Sequence, residues 1–160
     1  MSSARDAVND RPHDALEDLY RRDFVRAAKL AHLLTGSNAA AEDIAHDAFV
    51  RVQAKLSTTT NPSGYLTVTV VNLCRNWHRS RGRDDARLRF VATFEQSDEP
   101  THEALLEVVD RLPFRQRTVL VARYWLDLSE AEIADLLGCR RGTVKSLASR
   151  AMTALRKELT

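Results

Sequence analysis

The sequence predicts an all-α protein built as two small helical domains joined by a linker, the second domain carrying a helix-turn-helix. Three observations predict it. Apolar residues recur at spacings of three and four in segment after segment, and no strand survives the reading. Gly, Pro, Ser and Asn punctuate the chain at intervals that leave helix-sized pieces between them. A charged stretch containing Gly82 and Pro100 parts two groups of such pieces, which gives domains at 14–83 and 103–160 and a linker at 84–102. The chain has 160 residues, 44% of them apolar, enough for a core and too many for wholesale disorder.

Each element has its own signal. Residues 1–13 are polar and predict a frayed end. From Asp14 to Thr35 the positions Leu16, Leu19, Tyr20, Phe24, Ala27, Ala28, Leu30, Ala31 and Leu34 keep helical spacing, with a short break expected before Phe24. Thr35-Gly36-Ser37-Asn38 reads as a stop and a restart: Gly for the C-cap, then Ser or Asn as N-cap. Ile44, Ala48, Val52 and Leu56, four apart, predict a helix over 39–56, with Glu42 and Asp43 suiting its positive end. Ser57 to Gly64 (STTTNPSG) reads as a loop, with Ser63 as cap of a helix from Tyr65 to Arg81. The β-branched run Val68 to Val71 favours a strand on propensity. Tyr65, Thr69, Leu73 and Trp77 nevertheless share one helical face, so the helix is preferred.

After the linker, helical spacing resumes over Glu103 to Leu112. Pro113 suits the first position of a helix reaching Trp125. Ser129 and Glu132 have the S-x-x-E spacing of a capping box and start a helix over 129–137. Gly138 ends it, and a final helix runs over Arg141 to Leu159.

The net charge is only +2, but it is unevenly placed. Residues 72–89 hold six arginines against Asp84 and Asp85, residues 91–110 hold six acids and no Lys or Arg, and residues 140–158 hold six bases and one acid. Two basic blocks separated by an acidic span imply two anion-facing surfaces. Cys74 and Cys139, far apart and each within an apolar-periodic segment, read as buried reduced thiols rather than a disulfide framework. No run reaches the length of a membrane span and no signal-peptide core opens the chain, so no membrane insertion and a cytoplasmic location are expected. The histidines His13, His32, His46, His78 and His102 are scattered, with no HExxH pair, no zinc-ligand spacing and no Gly-rich phosphate loop. No enzyme activity, metal or cofactor is expected.

Chemistry concentrates in the C-terminal pair of helices. A helix of about nine residues, a Gly turn and a second helix with Val144, Ala148 and Ala151 facing inward match a helix-turn-helix. Its second helix would fit a DNA major groove, exposing Arg140, Arg141, Thr143, Lys145, Ser146, Ser149 and Arg150 near its N-terminal half. Arg pairs bidentately with guanine, and Lys, Ser and Thr reach phosphates or base edges. The mundane alternative is a hairpin with a solvated basic face.

The N-terminal half narrows the choice. AEDIAHDAFVRVQAKL (residues 41–56), YLTVTVVNLCRNWHRSRGR (65–83) and LPFRQRTVLVARYWLDLSEAEIADLLGCRRGTVKSLASRA (112–151) resemble, in order, three parts of the extracytoplasmic-function RNA polymerase sigma factors. KSLASRA (145–151) is similar to an actinobacterial, sigma-E-like subgroup. The resemblance implies two domains that bind core RNA polymerase and promoter DNA. It implies polymerase contacts at Asp43, Asp47, Phe49, Val50 and Arg51. For the minus-10 element it implies the loop residues Thr58, Thr59, Thr60 and Asn61, which would capture an unstacked base, and the helical stripe Asn72, Arg75, Asn76 and Arg79. For the minus-35 element it implies the seven exposed residues named above. The acidic span 91–110 would thread near the polymerase channels, and an anti-sigma factor is a possible partner. Two departures stand out. Arg140 replaces the Ser that many relatives place before the recognition helix, forgoing a cap worth about 1 kcal/mol. Leu147-Ala148 replaces an Arg-Leu pair, removing one DNA-facing Arg. A stand-alone helix-turn-helix regulator binding a palindrome as a dimer is the competing reading.

Overall fold

The computed structural model describes residues 11–81 and 102–159. Among them every regular element is an α-helix: α1 Arg11–Thr35, α2 Asn38–Lys55, α3 Pro62–Arg81, α4 His102–Arg111, α5 Phe114–Tyr124, α6 Glu130–Leu137 and α7 Arg141–Leu159. The polar N-terminal residues 1–10 and the linker, apart from His102 at the start of α4, lie outside the described residues. Two compact units result, one of residues 1–32 with 37–74 and the other of 33–36 with 75–160.

In the first unit, α1 runs without the break expected before Phe24. Aromatic residues one turn apart serve the helix here. Tyr20 and Phe24 stack with ring centroids 4.5 Å apart, and Phe49 of α2 closes on them at 5.3 and 5.7 Å. Gly36 (φ +72°) supplies the left-handed residue that ends α1. Ser37 then caps α2, its hydroxyl accepting from the Ala40 N–H at 3.2 Å. The buried face of α2 is Ala41, Ile44, Ala45, Ala48, Phe49 and Val52.

The start of α3 differs from the expectation in position and in cap. The helix begins at Pro62, whose missing N–H would be unpaired in a first turn anyway. Asn61 is the cap: its Oδ1 accepts from the Gly64 N–H at 3.1 Å, and its carbonyl accepts from the Tyr65 N–H at 3.0 Å. Ser63, expected as the cap, sits inside the first turn and turns to α1. Its hydroxyl donates to Asp23 Oδ2 at 2.5 Å and accepts from Arg22 Nη2 at 3.2 Å. The β-branched run is helical because burial decides. Leu66, Thr69, Val70, Val71, Leu73 and Cys74 are all buried, which outweighs a small propensity deficit. Tyr65 is an exception to the shared face, at 36% exposure.

In the second unit α5, α6 and α7 pack on one another and α4 packs on α7. Pro113 is the N-cap of α5 rather than its first helical residue. Its extended backbone (ψ 146°) puts its carbonyl under the Arg117 N–H at 3.0 Å. Arg117, only 4% exposed, belongs to the core of this unit. Its Nε donates to the Val109 carbonyl at 3.0 Å and its Nη2 to the carbonyl of Asp110, with the Asp110 carboxylate 3.7 Å from Nη1. A buried guanidinium thus adds donors to carbonyls at the end of α4, where the Val109 carbonyl also accepts the Leu112 N–H at 3.1 Å. Neither cysteine is in a disulfide; Cys74 is buried as expected and Cys139 only partly so, because it lies on the turn after Gly138.

Candidate nucleic-acid interface

The turn between α6 and α7 is fixed locally at both ends of α6. Ser129 and Glu132 make both halves of the capping box: the Ser129 hydroxyl accepts from the Glu132 N–H at 3.2 Å, and Glu132 Oε1 accepts from the Ser129 N–H at 3.1 Å. The backbone bond from Ser129, then its hydroxyl, hold the Glu132 carboxyl below its ordinary pKa. Gly138 (φ 63°, ψ 40°) terminates α6 in the left-handed region. The Gly138 N–H then bonds the Asp135 carbonyl at 3.3 Å and the Cys139 N–H bonds the Ala134 carbonyl at 3.0 Å. The chain re-enters helix three residues later. Val144, Leu147, Ala148 and Ala151 are buried, fixing the rotation of α7.

That rotation leaves Arg140, Arg141, Lys145, Ser146, Ser149 and Arg150 exposed and Thr143 half-buried. All seven residues predicted to meet DNA therefore lie at one end of α7 or on its outward side. Leu147 packs inward, in line with the departure read from the sequence. Arg140 gives α7 its first carbonyl acceptor, taken by the Val144 N–H at 3.2 Å. Its long side chain has no short acceptor to offer as a cap.

On α2, Asp43, Asp47, Val50 and Arg51 are exposed, Val50 at 64%. Asp47 and Arg51 pair at 3.3 Å, one turn apart. Phe49 requires a correction: it is 6% exposed and committed to the Tyr20–Phe24 cluster, so it cannot anchor a partner. The exposed apolar residue among the five is Val50.

The loop before α3 is short and internally bonded. Thr58 and Thr59 donate their hydroxyls to the Lys55 carbonyl, at 3.1 and 2.7 Å, closing the end of α2. Each hydroxyl oxygen keeps lone pairs that can accept a further hydrogen bond. Asn61 has its Oδ1 in the cap, leaving its amide nitrogen as the donor. Thr60 is exposed. A Cβ at Gly64 would come within 2.6 Å of Asn61 Nδ2, so a larger residue there would push the capping side chain aside. Along α3, Asn72, Asn76 and Arg79 are exposed and Arg75 is half-buried, one stripe as the spacing predicts. Trp77 is half-buried under the Arg81 guanidinium, 4.6 Å from its ring centroid. Three features escaped sequence reading: the Asn61 cap, the Ser63–Asp23 tie and the burial of Arg117. The dipeptide Asn-Pro signals a cap as well as a loop and could have revealed the first.

Two family descriptions match the chain, Sigma-70 region 2 over residues 17–84 and Sigma-70, region 4 over residues 102–155. The sequence is 28% identical over 151 residues to RNA polymerase sigma factor SigV of Bacillus subtilis, covering 88% of this chain and 87% of that protein. It is 31% identical over 131 residues to the RNA polymerase sigma-E factor of Streptomyces coelicolor, covering 74% of this chain and 71% of the relative. To the ECF RNA polymerase sigma factor SigM of Mycobacterium tuberculosis it is 30% identical over 151 residues, covering 91% and 77%. The fold is similar to that of the sigma factor RpoE of Bartonella quintana, solved in complex with the anti-sigma factor NepR. The TM-score is 0.70 at 22% identity, over 89% of this chain and 95% of that one.

Proposed function

We propose that this chain, which belongs to the sigma-70 family of RNA polymerase sigma factors and is of the extracytoplasmic-function type, binds core polymerase through α2 and reads a promoter at two places. The observation that carries this reading is the α6–α7 pair. A fully capped short helix and a left-handed Gly turn present a second helix whose outward face is basic and hydroxylic. In the major groove, Arg141 and Arg150 suit guanine edges, while Lys145, Ser146, Ser149 and Thr143 suit phosphates or bases. The positive end of α7, with Arg140 beside it, favours phosphate.

α2, α3 and the loop between them do different work. Val50 ringed by Asp43, Asp47 and Arg51 has the form of an apolar contact with a charged rim, as protein interfaces do. The loop 57–61 offers acceptors at Thr58 and Thr59 and donors at Thr60 and Asn61 to the edge of a base that has left the stack. Asn72, Arg75, Asn76 and Arg79 then follow the adjoining strand. Promoter opening starts when the loop holds one base out of the duplex.

The sigma-E-like subgroup is supported by KSLASRA at 145–151 and by identities of about 30% to the Streptomyces sigma-E factors. An anti-sigma factor as a second partner is supported by the RpoE–NepR complex. Action in the cytoplasm follows from the family's work. Among the described residues no helix is long and apolar enough to cross a membrane.

The test is titration of core polymerase with labelled protein. Asp47→Arg reverses charge on an exposed face, so the melting temperature should hold. Affinity for core should fall about tenfold or more, as for a central interface residue. Equal affinity of the variant and the parent would remove α2 from the polymerase interface.

A further inference from the structure

The second unit includes the last turns of α3, residues 75–81, together with α4 to α7. Within it, Arg75, His78 and Arg79 of α3, Phe114 and Arg115 of α5 and Leu137 at the end of α6 line an open hollow of about 460 Å³. Three guanidiniums and an imidazole meet there, and among the described residues no carboxylate lines it. Arg75, Arg79 and Arg115 also have no hydrogen bond, ion pair or ring contact among the described residues. Arg21, Arg51 and Arg111, by contrast, each hold a carboxylate within 3.3 Å. Like charges gathered without an acid raise the local potential, and an anion relieves it. The remaining lining is aromatic and apolar. The His78 and Phe114 ring centroids lie 5.1 Å apart at 45°, and Leu137 is buried beside them at 8% exposure.

We propose that this hollow binds a nucleoside polyphosphate. The phosphates take the guanidinium forks of Arg75, Arg79 and Arg115, which suit planar, bidentate, charge-assisted bonds. The base lies against the rings of Phe114 and His78 and the side chain of Leu137. The volume agrees with such a ligand: small-molecule sites run from about 300 to 1,000 Å³ and combine an apolar wall with a few convergent polar groups. Promoter DNA fits less well. A strand follows an open stripe, whereas Arg115 and Leu137 stand on α5 and α6 and make the hollow three-sided. An acidic peptide would use the arginines and leave the ring wall without a role. One consequence rests on the reading of α3 as the minus-10 helix. Arg75 and Arg79 serve both ligands, so a bound nucleotide would withhold them from the promoter. The site itself does not depend on that reading.

The experiment titrates the full-length protein with ATP and with GTP by calorimetry at constant ionic strength. Adenosine, guanosine, tripolyphosphate and a short single strand of DNA serve as comparisons. At least one of the two nucleotides should bind saturably at one equivalent. It should bind about tenfold or more tightly than its nucleoside or tripolyphosphate, each of which lacks part of the contacts. Arg115→Gln removes an exposed guanidinium that no promoter contact uses, and it should weaken the nucleotide about tenfold. Arg115→Lys keeps the charge without the fork and should weaken it less. No saturable binding at millimolar nucleotide would overturn the site, and so would an unchanged affinity in Arg115→Gln. Tripolyphosphate or the single strand binding as tightly as the nucleotide would also overturn it, the second by giving the hollow to nucleic acid. The consequence is read separately, as the ratio of promoter opening by holoenzyme with and without the nucleotide. That ratio should fall in the parent and stay near one in Arg115→Gln. Binding that depends on Arg115, beside an unchanged ratio in the parent, would keep the site and overturn the reading of Arg75 and Arg79 as minus-10 contacts.

Discussion

Ser63 reaches across the first unit. It ties the first turn of α3 to the buried carboxylate of Asp23, 8% exposed, and so holds the loop 57–61 against α1. Ser63→Ala would remove that donor and leave the carboxylate, among the described residues, with Arg22 at 3.5 Å, a largely solvated partner. The expected cost is about 1–3 kcal/mol, that of leaving a buried charged acceptor short of a donor. Thermal unfolding should show a lower midpoint, and the variant should open promoters less well at temperatures where it is still folded. An unchanged midpoint would mean that water replaces the hydroxyl at no cost. The tie could not be read from the sequence, because its partners stand forty residues apart and a Ser after Pro reads as a cap. Phe49 was misjudged for a related reason, while its neighbour Val50 is exposed as expected. Adjacent residues on a helix point about 100° apart, so a stripe read by period four leaves its flanking residue free to fall on either side. The packing of Tyr20 and Phe24 decides it.

At the scale of elements, local chemistry was legible and long-range chemistry was not. The capping box, Gly36, Gly138 and Ser37 each act through residues within a few positions, and each was visible in the sequence. The continuity of α1, the start of α3 at Pro62 and the role of Arg117 at the end of α4 depend on partners elsewhere in the chain. The capping box also gives α6 a pH dependence. The Glu132 pKa is lowered on folding, mainly by the backbone bond from Ser129. A lowered folded pKa means that the ionised carboxylate favours the folded state. Its contribution is therefore complete above the unfolded glutamate pKa and is lost as the pH falls through the folded value. Comparison with Glu132→Gln, which keeps the shape and cannot titrate, isolates the effect. The advantage of the parent in urea unfolding should be full at neutral pH and should shrink in acid below the ordinary glutamate range. A difference that stays constant with pH would show that the carboxylate charge contributes nothing.

For the whole molecule, the near-neutral total of +2 conceals a division of labour. The all-α architecture and the order of the motifs were legible because the hydrophobic period and the punctuation are local and consistent. The basic block 72–89 and the basic block 140–158 fall on α3 and α7, the two helices assigned to DNA, as far as the described residues reach. Charge placed this way predicts a protein that needs both units on one promoter and a polymerase between them. The most direct measurement is run-off transcription with bacterial core polymerase on a genomic fragment library, with and without this protein. Discrete new transcripts should appear, should vanish with Asp47→Arg and should change in identity or weaken with Arg141→Gln. Tight, sequence-specific duplex binding without core polymerase, and no new transcript with it, would contradict a sigma factor and point to a regulator that acts alone.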